Sequence, residues 1–560
     1  MSQRPWTQHY DDGIPHTLEY QDLCVIDLLD RSVRDYPERP ALVFLGRTLT
    51  YRELGREVDR CAAAFAGLGV RPGMRVAVQL PNLPQTVIAY FAAQALGAEV
   101  VMTNPLYTVS EVRHQWGDAE VHLAVVADFV FESLLREHMT TLAPKHYVVA
   151  SIPEYLPWPI RWLAPFKLKR QDPPRWAKVR ESEHVHRFGP LLDRAGSCPP
   201  RPERDASRVA VLQYTGGTTG PSKGAMLTHK NLCANVEQIH QWYGKVRMGE
   251  EVILTALPLF HVFGLTVCMN WSAYAGACQV LVPNPRDLTA IVQAITKHKV
   301  AYFPAVPALF NGLNQLPGIA DHDLSSLITC ISGSAPIPIA VLEEFERLTG
   351  SRIIEGFGMS ETSPVTHVNP LRGQRKVGSV GIPIPDTIAR VVSIDDGRTE
   401  MPIGQEGELI IQGPQVMLGY WGRPEATAET LRDGWMHTGD LAEMDPDGYF
   451  RIVGRMKDMI NCNGMKVYPD EVDQVLAKHP AILEAATIGV PDDKRGETVK
   501  SFVVLHEGQS LDAEAIQAYC REHLASYKVP QHVAFLDALP KSSVMKVLRR
   551  ELRELELGSS

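Results

Sequence analysis

Residues 214–223 read YTGGTTGPSK, with three glycines, four threonine or serine hydroxyls and one lysine. The run Val209, Ala210, Val211, Leu212 just before it is short and apolar and predicts a buried strand. Thr228 just after it predicts the cap of a helix over 229–242. A strand that ends in a Gly/Thr-rich loop with a lysine has the outline of a phosphate cradle. Glycines let backbone N–H groups approach an oxyanion, hydroxyls donate, and the lysine adds a point charge. A Walker loop is excluded, because Lys223 follows Ser222 and precedes Gly224 instead of standing in Gly-Lys-Ser/Thr. A plain surface loop is the competing reading of this stretch alone.

Outward from the loop, the strand–helix rhythm extends in both directions. Helical patterns at 53–68 and 85–95 alternate with strand patterns at 75–79, 99–102 and 122–126. Strand patterns recur at 252–256, 279–282, 302–304 and 327–332. Such alternation predicts an α/β fold, with parallel strands covered by helices. From about residue 376 the pattern becomes short β runs (389–393, 408–412, 450–453) between Gly, Asp and Pro turns, which predicts a small barrel or antiparallel sheet. After Arg455 a new unit begins. Helices at 470–478 and 512–523 and strands at 484–490, 499–505 and 532–535 make a small α+β domain. The predicted division is therefore 1–455 and 456–560.

Bulk properties narrow the function. With 560 residues, more than one domain is expected. A net charge of −9 argues against a general nucleic-acid binder. The nine cysteines form no CxxC pair and are odd in number, which fits a reducing cytoplasm without a disulfide framework or zinc site. The opening residues are polar and carry no signal-peptide core. The longest apolar stretch, near 87–102, is broken by Gln94 and Glu99 and is too short to cross a bilayer. One segment reverses the acidic balance. Residues 161–180 carry seven basic side chains against Asp172 alone, with Trp158, Trp162, Phe166 and Trp176 interleaved. A solvated, proline-broken excursion is the expected reading, and contact with an acidic lipid surface is its rival.

Four further stretches carry chemistry. EGFGMSET, 355–362, sets Phe357 between Gly356 and Gly358, beside Ser360 and Glu361. An aromatic flanked by glycines can lie against a heterocycle, and a carboxylate beside a phosphate site can hold Mg2+. WMHTGD, 435–440, offers Asp440 to vicinal hydroxyls, although Asx turns of this kind are common. GRMKDMINCNGMKVYP, 454–469, lies at the predicted domain boundary and reads as a hinge. PKSSVMKVLRR, 540–550, is a basic run near the C-terminus.

In this order the stretches YTGGTTGPSKGAMLTH, LPLFHVFGL, GFGMSET, HTGD, GRMKDMI and PKSSVMK resemble the adenylate-forming enzymes over nearly the whole chain. LPNLPQTVIAYFAA, NPLYTVSEVRHQ, VPNPRDL and GPQVMLGYWGRPEAT are most similar to bacterial long-chain fatty-acid–CoA ligases, as is the basic insertion. The resemblance implies a large N-terminal domain of two βα-layered subdomains plus a small β-barrel, followed by a small mobile α+β domain. It implies ATP-dependent activation of a fatty acid to acyl-AMP, then transfer to coenzyme A. Thr215, Gly216, Gly217, Thr218, Thr219 and Lys223 would steady the β- and γ-phosphates. Glu361 would hold Mg2+, and Ser360 would touch the α-phosphate. Phe357 would stack on adenine beside Gly333, Ser334, Ala335 and Pro336. Asp440 would bind the ribose with support from Arg455. Lys546 would be the catalytic lysine, and Lys457 the pivot that withdraws it and brings Gly464 to the coenzyme A tunnel. His261 and Phe263 would line the acyl-adenylate junction, although packing alone also explains a loop histidine.

Three positions depart from the family pattern. Met545 stands where a glycine is usual, Phe357 replaces a tyrosine, and Ser360 replaces a threonine. Two rivals stay open: an acyl-AMP ligase serving a carrier protein or other acceptor, and a non-catalytic binding paralogue. Acyl length is not fixed, because Val236, Phe303, Val306 and Phe310 serve a pocket or a core equally well. The expected location is cytoplasmic or at the inner face of a membrane. The oligomeric state is open, a homodimer included.

Overall fold

The structure, a computed structural model, describes residues 4–215, 222–462, 465–492, 496–542 and 547–557. Two large mixed sheets dominate it. The nine-stranded sheet has six parallel strands at its centre, in the order Ile353–Gly358, Thr329–Ser332, Tyr302–Ala305, Val252–Thr255, Cys278–Leu281 and Pro40–Phe44. Antiparallel strands Val365–Val368 and Ile382–Pro383 close one edge, and Arg47–Thr50 closes the other. The eight-stranded sheet also has six parallel strands: Val209–Thr215, Glu99–Met102, Arg75–Gln79, Val121–Ala127, His146–Ala150 and Val185–Arg187. Its antiparallel edge is Lys223–Thr228 followed by Gly419–Tyr420.

The sheets trade strands over long distances in sequence. The early hairpin Pro40–Thr50 completes the later sheet, and the late pair Gly419–Tyr420 completes the earlier one. The parallel strands are buried on both faces, as their unbroken Val/Ala/Leu runs require. Val76–Val78, Leu123–Ala127 and Ala210–Leu212 are fully enclosed. Helix Pro84–Ala95 is buried on every side, so the apolar stretch near 87–102 is core. Thr228 caps the helix His229–Tyr243 by accepting from the Asn231 N–H, worth about 1 kcal/mol.

The expected small β unit is a five-stranded antiparallel sheet built on Trp435–Met444, which pairs with Gly407–Gln412, Leu431–Arg432 and Phe450–Arg455. A fourth sheet follows, with Gly496–Leu505 between Ile482–Asp492 and the parallel strand His532–Phe535. Helices Pro469–Leu476 and Ala513–His523 pack over it. The 161–180 segment, read as a proline-broken excursion, opens on a helix. Ile160–Leu168 is a helix despite Pro165, because Ala164 and Leu168 bury against the core.

Candidate active site

Several of the residues singled out for chemistry lie at the carboxyl ends of parallel strands, where open α/β sheets bind ligands. Thr215 ends the strand Val209–Thr215. Gly333 and Ser334 follow Thr329–Ser332, and Ser360 and Glu361 follow Ile353–Gly358. His261 and Phe263 lie on the chain beyond Val252–Thr255. Thr215 and Phe357 both sit where a sheet turns from parallel to antiparallel pairing.

Glu361 lies in the short turn Ser360–Thr362 and is buried. Its Oε1 accepts from the Tyr420 hydroxyl at 2.8 Å, and its backbone carbonyl accepts from the Met417 N–H at 2.8 Å. Burial, then the Glu361 charge, pushes the Tyr420 phenol far up, so it stays a donor. The Lys223 ammonium sits 5.3 Å from the centre of the Tyr420 ring. Lys223 pairs with Thr215 in the sheet register. Tyr420 thus stands between Lys223 and the buried Glu361 carboxylate. Among the described residues no ion pair reaches Glu361 within 4.0 Å.

The stretches around Phe357 and Gly333 are built from close approaches. Phe357 is opposite His367 in the register, with the rings edge-on at 5.9 Å. Burial holds the His367 ring neutral, with its pKa lowered to about 3. A Cβ on Gly358 would lie 2.0 Å from the Pro364 carbonyl oxygen, so only glycine fits beside Phe357. Glu355, at the start of the same stretch, accepts from the Gly378 N–H at 3.0 Å, and burial raises its pKa to about 7. Its role is to tie the strand down. A Cβ on Gly333 would meet the Phe263 ring at 2.9 Å, so these two predicted residues are in contact. Ser334 has φ 72°, while Ala335 and Pro336 are exposed beside it. His261 is half-buried, and its Nδ1 accepts from the Phe263 N–H at 3.3 Å.

Asp440 and Arg455 face each other across adjacent strands, Nε to Oδ1 at 2.8 Å. The Asp440 carboxylate is 3% exposed, so the guanidinium largely sets its charge environment. Thr438 Oγ1 accepts from the Asp440 N–H at 3.0 Å and donates to the Leu409 carbonyl at 2.7 Å, fixing the turn. Lys457 occupies the turn Met456–Asp458 between the third and fourth sheets. Partial desolvation of its ammonium, then the Arg455 charge, lowers its pKa; Asp458, Asp440 and Glu361 oppose this. Asp458 is held by Arg553 at 2.9 Å. Gly216, Gly217, Thr218, Thr219, Gly464, Met545 and Lys546 lie outside the described residues.

No group of three or more His, Cys, Asp or Glu side chains among the described residues is arranged to hold a metal. A single buried carboxylate suits Mg2+, which takes one or two carboxylates and completes its shell with phosphates and water. Glu361, with one oxygen engaged by a neutral phenol, fits that donor set.

Residues 29–421 match the family described as AMP-binding enzyme, and residues 471–546 match the AMP-binding enzyme C-terminal domain. The chain belongs to the AMP-binding enzyme family. It is 41% identical to the long-chain-fatty-acid–CoA ligase of Bacillus subtilis (strain 168), over 99% of both chains. Among solved structures it is similar to the anthranilate CoA ligase AuaEII in complex with anthranoyl-AMP, with TM-score 0.84, 27% identity, and coverage of 96% of this chain and 98% of that one. It is also similar to ATP-bound MatB from Rhodopseudomonas palustris, with TM-score 0.83, 29% identity, and coverage of 95% and 99%.

Two residues of this AMP-binding enzyme have no assigned role in the sequence reading, although the stretches that hold them were singled out. Tyr420 lies in GYWG, which looks like a turn; its role follows from the pairing of Tyr420 with Ala225. Asn82 lies in LPNLPQ. It is buried and donates to the Thr255 and Leu257 carbonyls at 2.9 Å while accepting from the Leu259 N–H at 2.9 Å. It clamps the loop that leads to His261. A buried asparagine needs all of these partners, and that need was the available signal.

Proposed function

We propose that this ligase activates a long-chain fatty acid with ATP and transfers the acyl group to coenzyme A. The reading is carried by the 41% identity to a long-chain-fatty-acid–CoA ligase over 99% of the chain. The fatty carboxylate attacks the α-phosphorus of ATP and pyrophosphate leaves, giving acyl-AMP. The thiol of coenzyme A then attacks the acyl carbon, AMP leaves with the C–O bond electrons, and the thiol proton passes to solvent.

The first step joins two anions, so its cost is electrostatic. Thr215, Gly216, Gly217, Thr218, Thr219 and Lys223 hold the β- and γ-phosphates. Glu361 holds Mg2+, which neutralises phosphate charge when bound. Ser360 touches the α-phosphate, and Phe357 stacks on adenine beside Gly333, Ser334, Ala335 and Pro336. Asp440 receives the ribose hydroxyls, oriented by Arg455. Lys546 bridges the carboxylate and the α-phosphate. The chain divides at 455/456, and Lys457 is the pivot on which the smaller domain withdraws Lys546 and presents Gly464 beside His261 and Phe263. The enzyme works in the cytoplasm at the inner membrane surface, where its substrate partitions; a homodimer is compatible with this reading.

The test is AMP release over fatty acids of graded length, with and without coenzyme A. Long chains should be preferred, and coenzyme A should accelerate turnover. Activity confined to short or aromatic acids would overturn the chain-length assignment. AMP release indifferent to coenzyme A would favour another acyl acceptor. Lys546→Ala should lower adenylation by about a thousandfold or more and spare thioester formation from preformed acyl-AMP.

A further inference from the structure

The helix Ile160–Leu168 is apolar on two opposite sides. Ala164 and Leu168, one turn apart, face the protein core. Trp162 and Phe166, also one turn apart, face away from it with Leu163 beside them. Trp162 is 68% exposed, Phe166 70% and Leu163 66%, and the neighbouring Trp158 reaches 78%. Both exposed tryptophans among the described residues are therefore in this one segment. Leu45 extends the patch. It is exposed at the tip of the hairpin Pro40–Thr50, and the adjacent Gly46 lies against Pro157.

Basic side chains dominate this segment, with Asp172 the one acid in 161–180. Arg161, Lys167, Lys169, Arg170, Lys178 and Arg180 are exposed, and among the described residues none of them makes a salt bridge. The chain as a whole is acidic, with a net charge of −9. A solvated excursion needs lysines and arginines but gains nothing from two bare tryptophans and a phenylalanine, since apolar patches of this kind are not left exposed without a partner. A short helix with aromatics on one side and a basic rim has the composition that lies in a bilayer interface. Tryptophan sits at headgroup depth and lysine stems reach out to phosphate.

We infer that helix Ile160–Leu168 docks this enzyme on an anionic phospholipid bilayer. Trp158, Trp162, Leu163 and Phe166 insert, and Lys167, Lys169 and Arg170 bind the headgroups. This names the surface and the lipid class behind the membrane location proposed above, and it rests on that location and not on the reaction.

The test is co-sedimentation of the purified full chain with phosphatidylglycerol-containing vesicles and with pure phosphatidylcholine vesicles. The protein should pellet with the anionic vesicles, less so with neutral ones and less so at high salt. Lys167→Gln/Lys169→Gln/Arg170→Gln should weaken anionic binding on the order of a hundredfold. Trp162→Glu/Phe166→Glu should abolish binding to both vesicle types. Both variants alter exposed side chains and should keep wild-type activity on octanoate in vesicle-free buffer. Wild-type protein remaining in the supernatant with anionic vesicles would overturn the proposal, as would unchanged binding by Trp162→Glu/Phe166→Glu. If that variant instead converts a wild-type dimer to monomer with vesicle binding unaltered, the face is a contact between copies. Vesicle binding by a protein that releases no AMP would leave this surface standing and remove the ligase reading.

Discussion

We assign two buried carboxylates, Asp440 and Glu361, to the two ends of the proposed site, and their surroundings differ in kind. Asp440 faces the Arg455 guanidinium at 2.8 Å. Glu361 faces a neutral phenol at 2.8 Å. A carboxylate whose charge is matched by a fixed cation is suited to accept hydrogen bonds from neutral hydroxyls. A buried carboxylate bonded to a neutral donor keeps a charge that an incoming cation can meet. Neighbours, not residue type, distinguish the two carboxylates.

Exchange of Glu361 should give the largest effect that this contrast predicts. Glu361→Gln keeps the shape and removes the charge, so adenylation should fall by about a hundredfold to a thousandfold, mainly in kcat, with a weakened response to Mg2+. Asp440→Asn should act on binding. KM for ATP should rise roughly thirtyfold, the size of a lost charge-assisted hydrogen bond, with a smaller change in kcat. Steady-state kinetics on both variants decides the matter: a reversed split between kcat and KM would reverse the assignments.

The contrast can be sharpened with Tyr420→Phe, which removes only the donor to Glu361. The Mg2+ saturation curve should move to about tenfold higher concentration, while kcat at saturating Mg2+ is preserved. Lys223→Ala is the mildest change, because the lysine is exposed. KM for ATP should rise about fivefold, as for a partly screened charge, and thioester formation from preformed acyl-AMP should be unaltered. Equal loss in both half-reactions would remove Lys223 from the phosphate clamp.

The sequence made the periodic elements plain because their burial is local in cause. The strands Arg75–Gln79 and Glu99–Met102 carry the apolar runs 76–78 and 100–102, and Thr228 marks its helix by capping chemistry. The stretch holding Phe357, Ser360 and Glu361 stood out because glycines flank its aromatic, and the 2.0 Å approach at Gly358 gives the physical reason on that side. Tyr420 was not legible in the same way. Its strand has two residues, and its meaning comes from a pairing with residues far back in the chain. Asn82 was hidden for the same reason, since all three of its bonds reach residues beyond 250. At 160–168 Pro165 argued for a break, but tertiary burial of Ala164 and Leu168 outweighed the local propensity.

The exchange of strands between the two large sheets bears on how the chain is made. On a ribosome the strand Lys223–Thr228 emerges long before Gly419–Tyr420, its neighbour in the finished sheet. Until then its outer backbone groups form an uncovered edge, the kind that recruits other nascent chains. The hairpin Pro40–Thr50 likewise waits for Cys278–Leu281. Neither half can finish its sheet alone, so a truncated chain ending before Gly419 should be insoluble.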